Sequence, residues 1–159
     1  MADFDWTTHL KDCLESTKFM AVSTRGTKGL WNHAVNFAYD SALNFYFMSQ
    51  PGSRHMQNIS ANGEIALAIF STNQNPENDA VGMQIRGEAT VLADDQVPQA
   101  HVTYFRRTSA IAGIPSELSD FLGPAAPWKF VKVEPEEIGY FNSRQFGEHR
   151  QTVPVGITL

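Results

Sequence analysis

The stretch Phe45-Tyr46-Phe47-Met48-Ser49-Gln50-Pro51-Gly52-Ser53-Arg54-His55 joins an apolar run to a breaker and then to two basic side chains. If the apolar run is a strand and Ser53 opens a helix, the chain delivers a glycine turn, a hydroxyl and a guanidinium to a helix start. Such a start favours phosphate. Its first N–H groups lack intrahelical partners, the positive end of the helix dipole faces the anion, and arginine adds a two-pronged charged contact. On residue types alone, a plain N-cap beside a solvated arginine fits equally well.

Other chemistries find little support. Gly26-Thr27-Lys28-Gly29 is not a phosphate-binding P-loop, and Gly82 to Gly87 is not followed by Lys and Ser/Thr. There is no His-Glu-x-x-His and no Gly-x-Ser-x-Gly, and the five histidines lack metal-ligand spacing. Hydrolase, kinase and zinc-enzyme functions are therefore not indicated.

The surrounding elements are mostly strands. Residues 5–16 read as an opening helix, with Asp5 as N-cap and Trp6, Leu10, Cys13 and Leu14 on one stripe. Cys13 reads there as a small buried hydrophobe. Phe19 to Thr24 is a strand ending in a glycine turn. Trp31, His33, Val35, Phe37 and Tyr39 alternate with Asn32, Ala34, Asn36 and Ala38, and Leu43 to Met48 returns as a hairpin. A short helix carries Met56 and Ile59 and ends near Asn62-Gly63. Glu64 to Phe70 is apolar on both faces and reads as a fully buried strand. After the polar loop 71–79, Ala80 to Leu92 is a long strand in which Gly87 marks a bulge or close approach, with Arg86 and Glu88 facing the same side. Asp94 is placed to cap a second helix that ends in Arg106-Arg107, a pair suited to the helix dipole or to solvent. Residues 109–127 form an irregular excursion. Trp128 to Val133 is a strand, Glu134-Pro135-Glu136-Glu137 breaks it, and Ile138 to Phe141 resumes. The remainder, from Asn142, reads as a polar, mobile tail. This order gives a mainly β fold with flanking helices, an antiparallel barrel of six strands, in one domain over 1–145 with a tail over 146–159.

Bulk properties bound the partners. A net charge of -5 without a basic cluster disfavours nucleic acid or an anionic membrane. No apolar stretch is long enough to span a bilayer, and the acidic start is unlike a signal peptide. The single cysteine excludes an internal disulfide and suits a cytoplasmic location.

The sequence LNFYFMSQPGSRHMQNI, followed by EIALAIF and VGMQIRGEATVL, resembles the pyridoxamine 5'-phosphate oxidase-like family of FMN-binding split barrels, over about Phe19 to Phe141. The similarity is to the short, general-stress-protein-like members. It implies FMN as cofactor and a homodimer in which both chains build each flavin pocket. It places the family's phosphate grip on Ser53, Arg54 and His55, with His55 as a second cation. The strand along the flavin ring falls on Trp31 to Asn36, including His33, Val35 and Asn36. The ring and ribityl contacts fall near Tyr46-Phe47 or one residue later, which brings in Phe47, Met48 and Ser49. Gln84 and Arg86 fall on a face turned to the flavin.

Three departures stand out. Asn36 replaces a basic residue, His55 replaces a lysine, and Arg150-Gln151-Thr152-Val153 departs from the oxidase's Arg-x-His-Asp-Arg substrate signature. The expected function is thus an FMN-binding oxidoreductase using a small-molecule substrate or NAD(P)H, and not the oxidase itself. The alternatives are a non-catalytic binder of flavin, deazaflavin F420 or haem, and a stress-related dimeric module.

Overall fold

A computed structural model describes residues 4–75 and 80–159. Helix α1 spans Trp6–Glu15. The Asp5 carboxylate accepts the Thr8 N–H at 3.1 Å, and Leu10, Cys13 and Leu14 are buried one turn apart. Burial pushes the Cys13 thiol up to about 12, so it stays protonated and acts as a packing residue. Strands β1 (Phe19–Gly26) and β2 (Gly29–Asn36) form a hairpin whose turn uses the left-handed conformation of Gly29. After β2 come β3 (Ala38–Tyr39), β4 (Phe45–Ser49), α2 (Arg54–Ala61), β5 (Glu64–Phe70) and β6 (Val81–Val91). The chain ends with α3 (Val97–Arg107), a 3₁₀ turn (Leu118–Phe121), β7 (Lys129–Asn142), α4 (Ser143–Phe146) and β8 (Gln151–Thr152).

All strand pairs are antiparallel, in the order β2-β1-β5-β6-β7-β4-β3, with β8 on β7. The path therefore holds seven strands, not six. The run Gly29 to Tyr39 divides at Phe37 into β2 and β3, which lie at opposite ends of the path. One piece of chain thus bridges both edges of the curled sheet and makes it a split barrel. Phe37 itself is fully buried and donates its N–H to Lys18 O at 3.3 Å.

The barrel interior follows the two-residue period. Met20, Val22, Phe45, Phe47, Ile65, Leu67, Ile69, Met83, Ile85, Val131 and Val133 point inward and are buried. Each such side chain contributes about 1.5–3 kcal/mol on burial. A second core lies outside β4 and β7, where Tyr46 and Phe130 meet Val97, Ala100 and Tyr104 of α3 and Phe121 of the excursion.

Several sequence expectations are corrected. Pro135 does not break β7. The strand carries one extra residue opposite β6, with a register shift between Arg86 and Gly87, and Pro135 sits at that bulge. A Cβ on Gly87 would lie 2.3 Å from Glu134 O, so only glycine permits this approach. Helix α3 begins later than Asp94, with Gln96 at the N-cap and proline in its first turn. Asp94 instead accepts the Gly123 N–H at 2.9 Å. Strand β5 is buried on one face only, since Ala66 is exposed and Ala68 half-buried. The C-terminal segment is not free: β8 pairs with Gly139 and Tyr140, Val153 is buried, and Ile157 and Leu159 pack on the core. Of the loop 71–79, residues 76–79 lie outside the described residues.

Candidate functional site

The Ser49–His55 corner is assembled by β4, the start of α2 and the β1–β2 hairpin. A buried hydrogen bond from Asn58 Nδ2 to Thr24 Oγ1, 3.0 Å, fixes α2 against β1. Ser53 occupies the N-cap position of α2, yet its hydroxyl makes no capping bond. It lies 3.2 Å from His55 Nε2 and 3.4 Å from Ser49 Oγ, and His55 Nε2 lies 2.7 Å from Ser49 Oγ. The side chain that would have capped the helix is therefore engaged sideways.

His55 is not the second cation expected from the sequence. It is 3% exposed, and burial, with His33 nearby, pulls its pKa down from 6.5 to about 4. At neutral pH it is an uncharged ring bound to two serines. His33, exposed on β2, stacks on it at 4.6 Å between ring centroids.

Arg54 is the remaining cation at this corner. Its guanidinium lies 4.4 Å from the Trp31 ring centroid and Nη2 donates to Lys28 O at 2.9 Å. Its Nε is buried and has no hydrogen-bond partner. Trp31 begins the strand expected along the flavin ring but was not singled out as a contact. Alternation placed it on β2, but nothing in the sequence linked it to an arginine on α2.

The structure brings together His33, Ser49, Ser53, Arg54 and His55. Val35 and Phe47 face the barrel interior, while Asn36 and Met48 are half-buried at the ends of β2 and β4. Gln84 and Arg86 lie on β6, separated from β2 by β1 and β5, on the outer sheet face. Arg86 does not pair with Glu88. It bonds Glu136 and lies 3.9 Å from Glu137, because the β7 bulge turns these carboxylates toward it. Arg150 donates to Glu137 at 3.0 Å and to Gln84 at 3.3 Å. The row Ala34, Ala21, Ala68, Gln84 crosses four strands in register. Its edge exposes Phe19 (58%) and Phe70 (47%).

The family model for pyridoxamine 5'-phosphate oxidase matches residues 6–142. The chain belongs to this family. No curated protein sequence matches it. Solved structures share the fold at low identity. A pyridoxamine 5'-phosphate oxidase-related, FMN-binding protein from Nostoc punctiforme is 12% identical, covers 96% of this chain and 91% of its own, and has a TM-score of 0.66. A protein from Clostridium acetobutylicum, related to general stress protein 26 of B. subtilis, is 17% identical, with 93% of each chain covered and a TM-score of 0.64. A haem-binding protein from Mycobacterium smegmatis is 12% identical with a TM-score of 0.68. It covers 89% of this chain, which spans only 54% of that relative's length.

The sequence expectation places a phosphate grip on Ser53-Arg54-His55, and the structure sets these three residues together at the start of α2. The donor set suits phosphate. Arg54 Nε lacks a partner, the helix start has no side-chain cap, and none of the five converging side chains is acidic.

Proposed function

We propose that the protein binds FMN at the junction of two copies of a homodimer, with the phosphate on Ser53, Arg54 and the start of α2. The unpartnered Nε of Arg54 beside an uncapped helix carries this reading. His33 and Asn36 on β2 and Met48 and Ser49 on β4 flank the same corner. Val35 and Phe47 support these strands from inside. His55 serves as a neutral hydrogen-bond partner that holds the two serines.

Gln84 and Arg86 are too far around the sheet to join this corner within one chain, so the partner subunit's Gln84 and Arg86 are assigned to the flavin. The outer face supports the dimer. The β4–β7 half of the sheet is covered by α3 and the excursion, whereas the β2-β1-β5-β6 half exposes alanines beside Phe19 and Phe70. Monomers seldom leave such a patch open, and a two-fold contact buries it on both copies. The expected interface exceeds about 2,000 Å² in total.

Bound FMN supplies hydride or electron transfer. The chain's own residues bind and orient the cofactor and leave access for a small-molecule substrate or NAD(P)H, in a cytoplasmic oxidoreductase role. Gln151 and Thr152, which stand where the oxidase signature would continue, form β8 and pair with β7, so oxidation of pyridoxamine phosphate is not proposed. Among the described residues no helix is long and apolar enough to cross a membrane.

The absorption spectrum of the purified protein separates the alternatives. Flavin bands support the proposal, a Soret band supports haem, a deazaflavin spectrum supports F420, and a colourless protein that ignores FMN supports a cofactor-free module. In a fluorescence titration, Arg54→Ala should weaken FMN by about 1.5–3 kcal/mol, roughly 10- to 150-fold. Equal affinities in wild type and variant would overturn the assignment.

A further inference from the structure

A cleft of about 550 Å³ lies away from the flavin corner, between α1, α3 and the β3–β4 turn. Its walls carry four of the chain's 12 cationic side chains, Lys11, Lys18, Arg106 and Arg107, although the chain as a whole has a net charge of -5. Three of these come from separate packed elements that face one another: Lys11 from α1, Lys18 from the turn after it, and Arg106 from α3.

The two acidic residues lining the cleft offset only part of this charge. Both oxygens of Asp40 are taken, by the N–H groups of Ala42 and Asn44, the Asn44 amide and the Tyr46 hydroxyl, at 2.9–3.0 Å. Glu15 accepts the Tyr39 hydroxyl at 2.6 Å and lies 3.4 Å from Arg107 Nε and 3.7 Å from Lys18. Arg107 is spent on backbone carbonyls. Lys11 and Arg106 are left with neither ion pair nor hydrogen bond among the described residues. Ser41, Gln99 and Thr103 add neutral donors to the same walls.

Like charges brought to one cleft from separate elements repel, and an anion between them removes that cost. The cleft has the volume of a small-molecule site, which suits a small phosphate ester rather than a long polyanion. We propose that this cleft binds a phosphate-bearing small molecule through Lys11, Lys18 and Arg106, independently of the flavin corner.

The test uses inorganic pyrophosphate as probe, with the full chain at constant ionic strength, read by calorimetric titration and thermal shift. Wild type should bind saturably and gain melting temperature. Lys11→Ala with Arg106→Ala removes two exposed contacts and should weaken binding about tenfold or more without harming the fold. Arg54→Ala should leave this binding unchanged. The proposal is overturned by an absence of saturable binding, by a double variant that binds like wild type, or by loss of binding in Arg54→Ala, which would move the anion to the flavin corner.

Discussion

Removing Arg107 should be among the most damaging single changes in this chain, although the sequence offers it as a surface residue at a helix end. Its side chain is 8% exposed. Nη1 donates to Phe37 O and Nη2 to Thr17 O, both at 2.7 Å, and Nη2 also bonds Leu14 O. The guanidinium lies 4.2 Å from the Phe37 ring centroid. One side chain thus ties the end of α1, the turn into β1 and the β2–β3 bend. Arg107→Ala strands three carbonyls. Charged hydrogen bonds are worth about 1.5–3 kcal/mol each, but water entering the vacated space recovers part of that, leaving about 1 kcal/mol per carbonyl. Adding the lost contact with Phe37 brings the total to about 3–5 kcal/mol. For a domain of this size that lowers the melting temperature by roughly 6–20 °C. Urea unfolding followed by tryptophan fluorescence measures it. The adjacent Arg106→Ala is the control, expected within about 0.5 kcal/mol of wild type. Arg107→Lys should recover only part of the loss, because one ammonium cannot reproduce the planar fork. An Arg107→Ala variant within about 1 kcal/mol of wild type would refute the clamp.

Three further outcomes are expected. His55 refuses in the folded state, down to about pH 4, a proton that the unfolded chain accepts near 6.5. Stability should therefore be flat on its account above 6.5 and fall as pH drops through 6.5 toward 4. His55→Gln should lack that slope between pH 6.5 and 5 in denaturant titrations, and equal slopes would show that the ring is not buried neutral. Gly87→Ala should cost at least about 2 kcal/mol by forcing Glu134 O away. Gly52→Ala, where a Cβ meets nothing within 4 Å, should be nearly neutral, so similar losses in both would remove the bulge argument. Light scattering should give a dimer for wild type and a monomer for Ala68→Glu, which puts a charge in the middle of the open face. An unchanged mass in that variant would place the interface elsewhere.

What the sequence revealed and what it concealed divide along a physical line. Periodicity states which residues share a face, so Leu10, Cys13 and Leu14 were legible, as were Ile65, Leu67 and Ile69. Gly87 was legible because glycine in a long strand has few other uses. Periodicity does not state what covers a face. Ala66 and Ala68 looked like the small side of a buried strand, and they lie open because α3 folds over the other half of the sheet. Pro135 looked like a break because its tolerance depends on a bulge facing Gly87, some fifty positions away. Arg107 and the C-terminal segment were misjudged for the same reason. Carbonyls that demand a guanidinium, and a sheet edge that accepts β8, are properties of the folded backbone.

The candidate site shows the same limit in its chemistry. Ser53 and Arg54 were legible as a helix start because a glycine turn before a helix has a local signature. His55 carried that signature too, but burial keeps its ring uncharged, and burial is set by where β4 and α2 meet. The run Gly29 to Tyr39 links these facts. Its first half carries His33 and Trp31 to the Ser53 corner, and its second half crosses to β4 and is locked at Phe37 by Arg107. A loosened clamp would shift β2 relative to α2 and change how Trp31 stacks on Arg54, even though Arg107 touches neither. FMN affinity in an Arg107→Lys variant that remains folded therefore reports whether the bend positions the grip. A fall beyond that of Arg106→Ala would mean that it does, and equal affinities would confine Arg107 to stability alone.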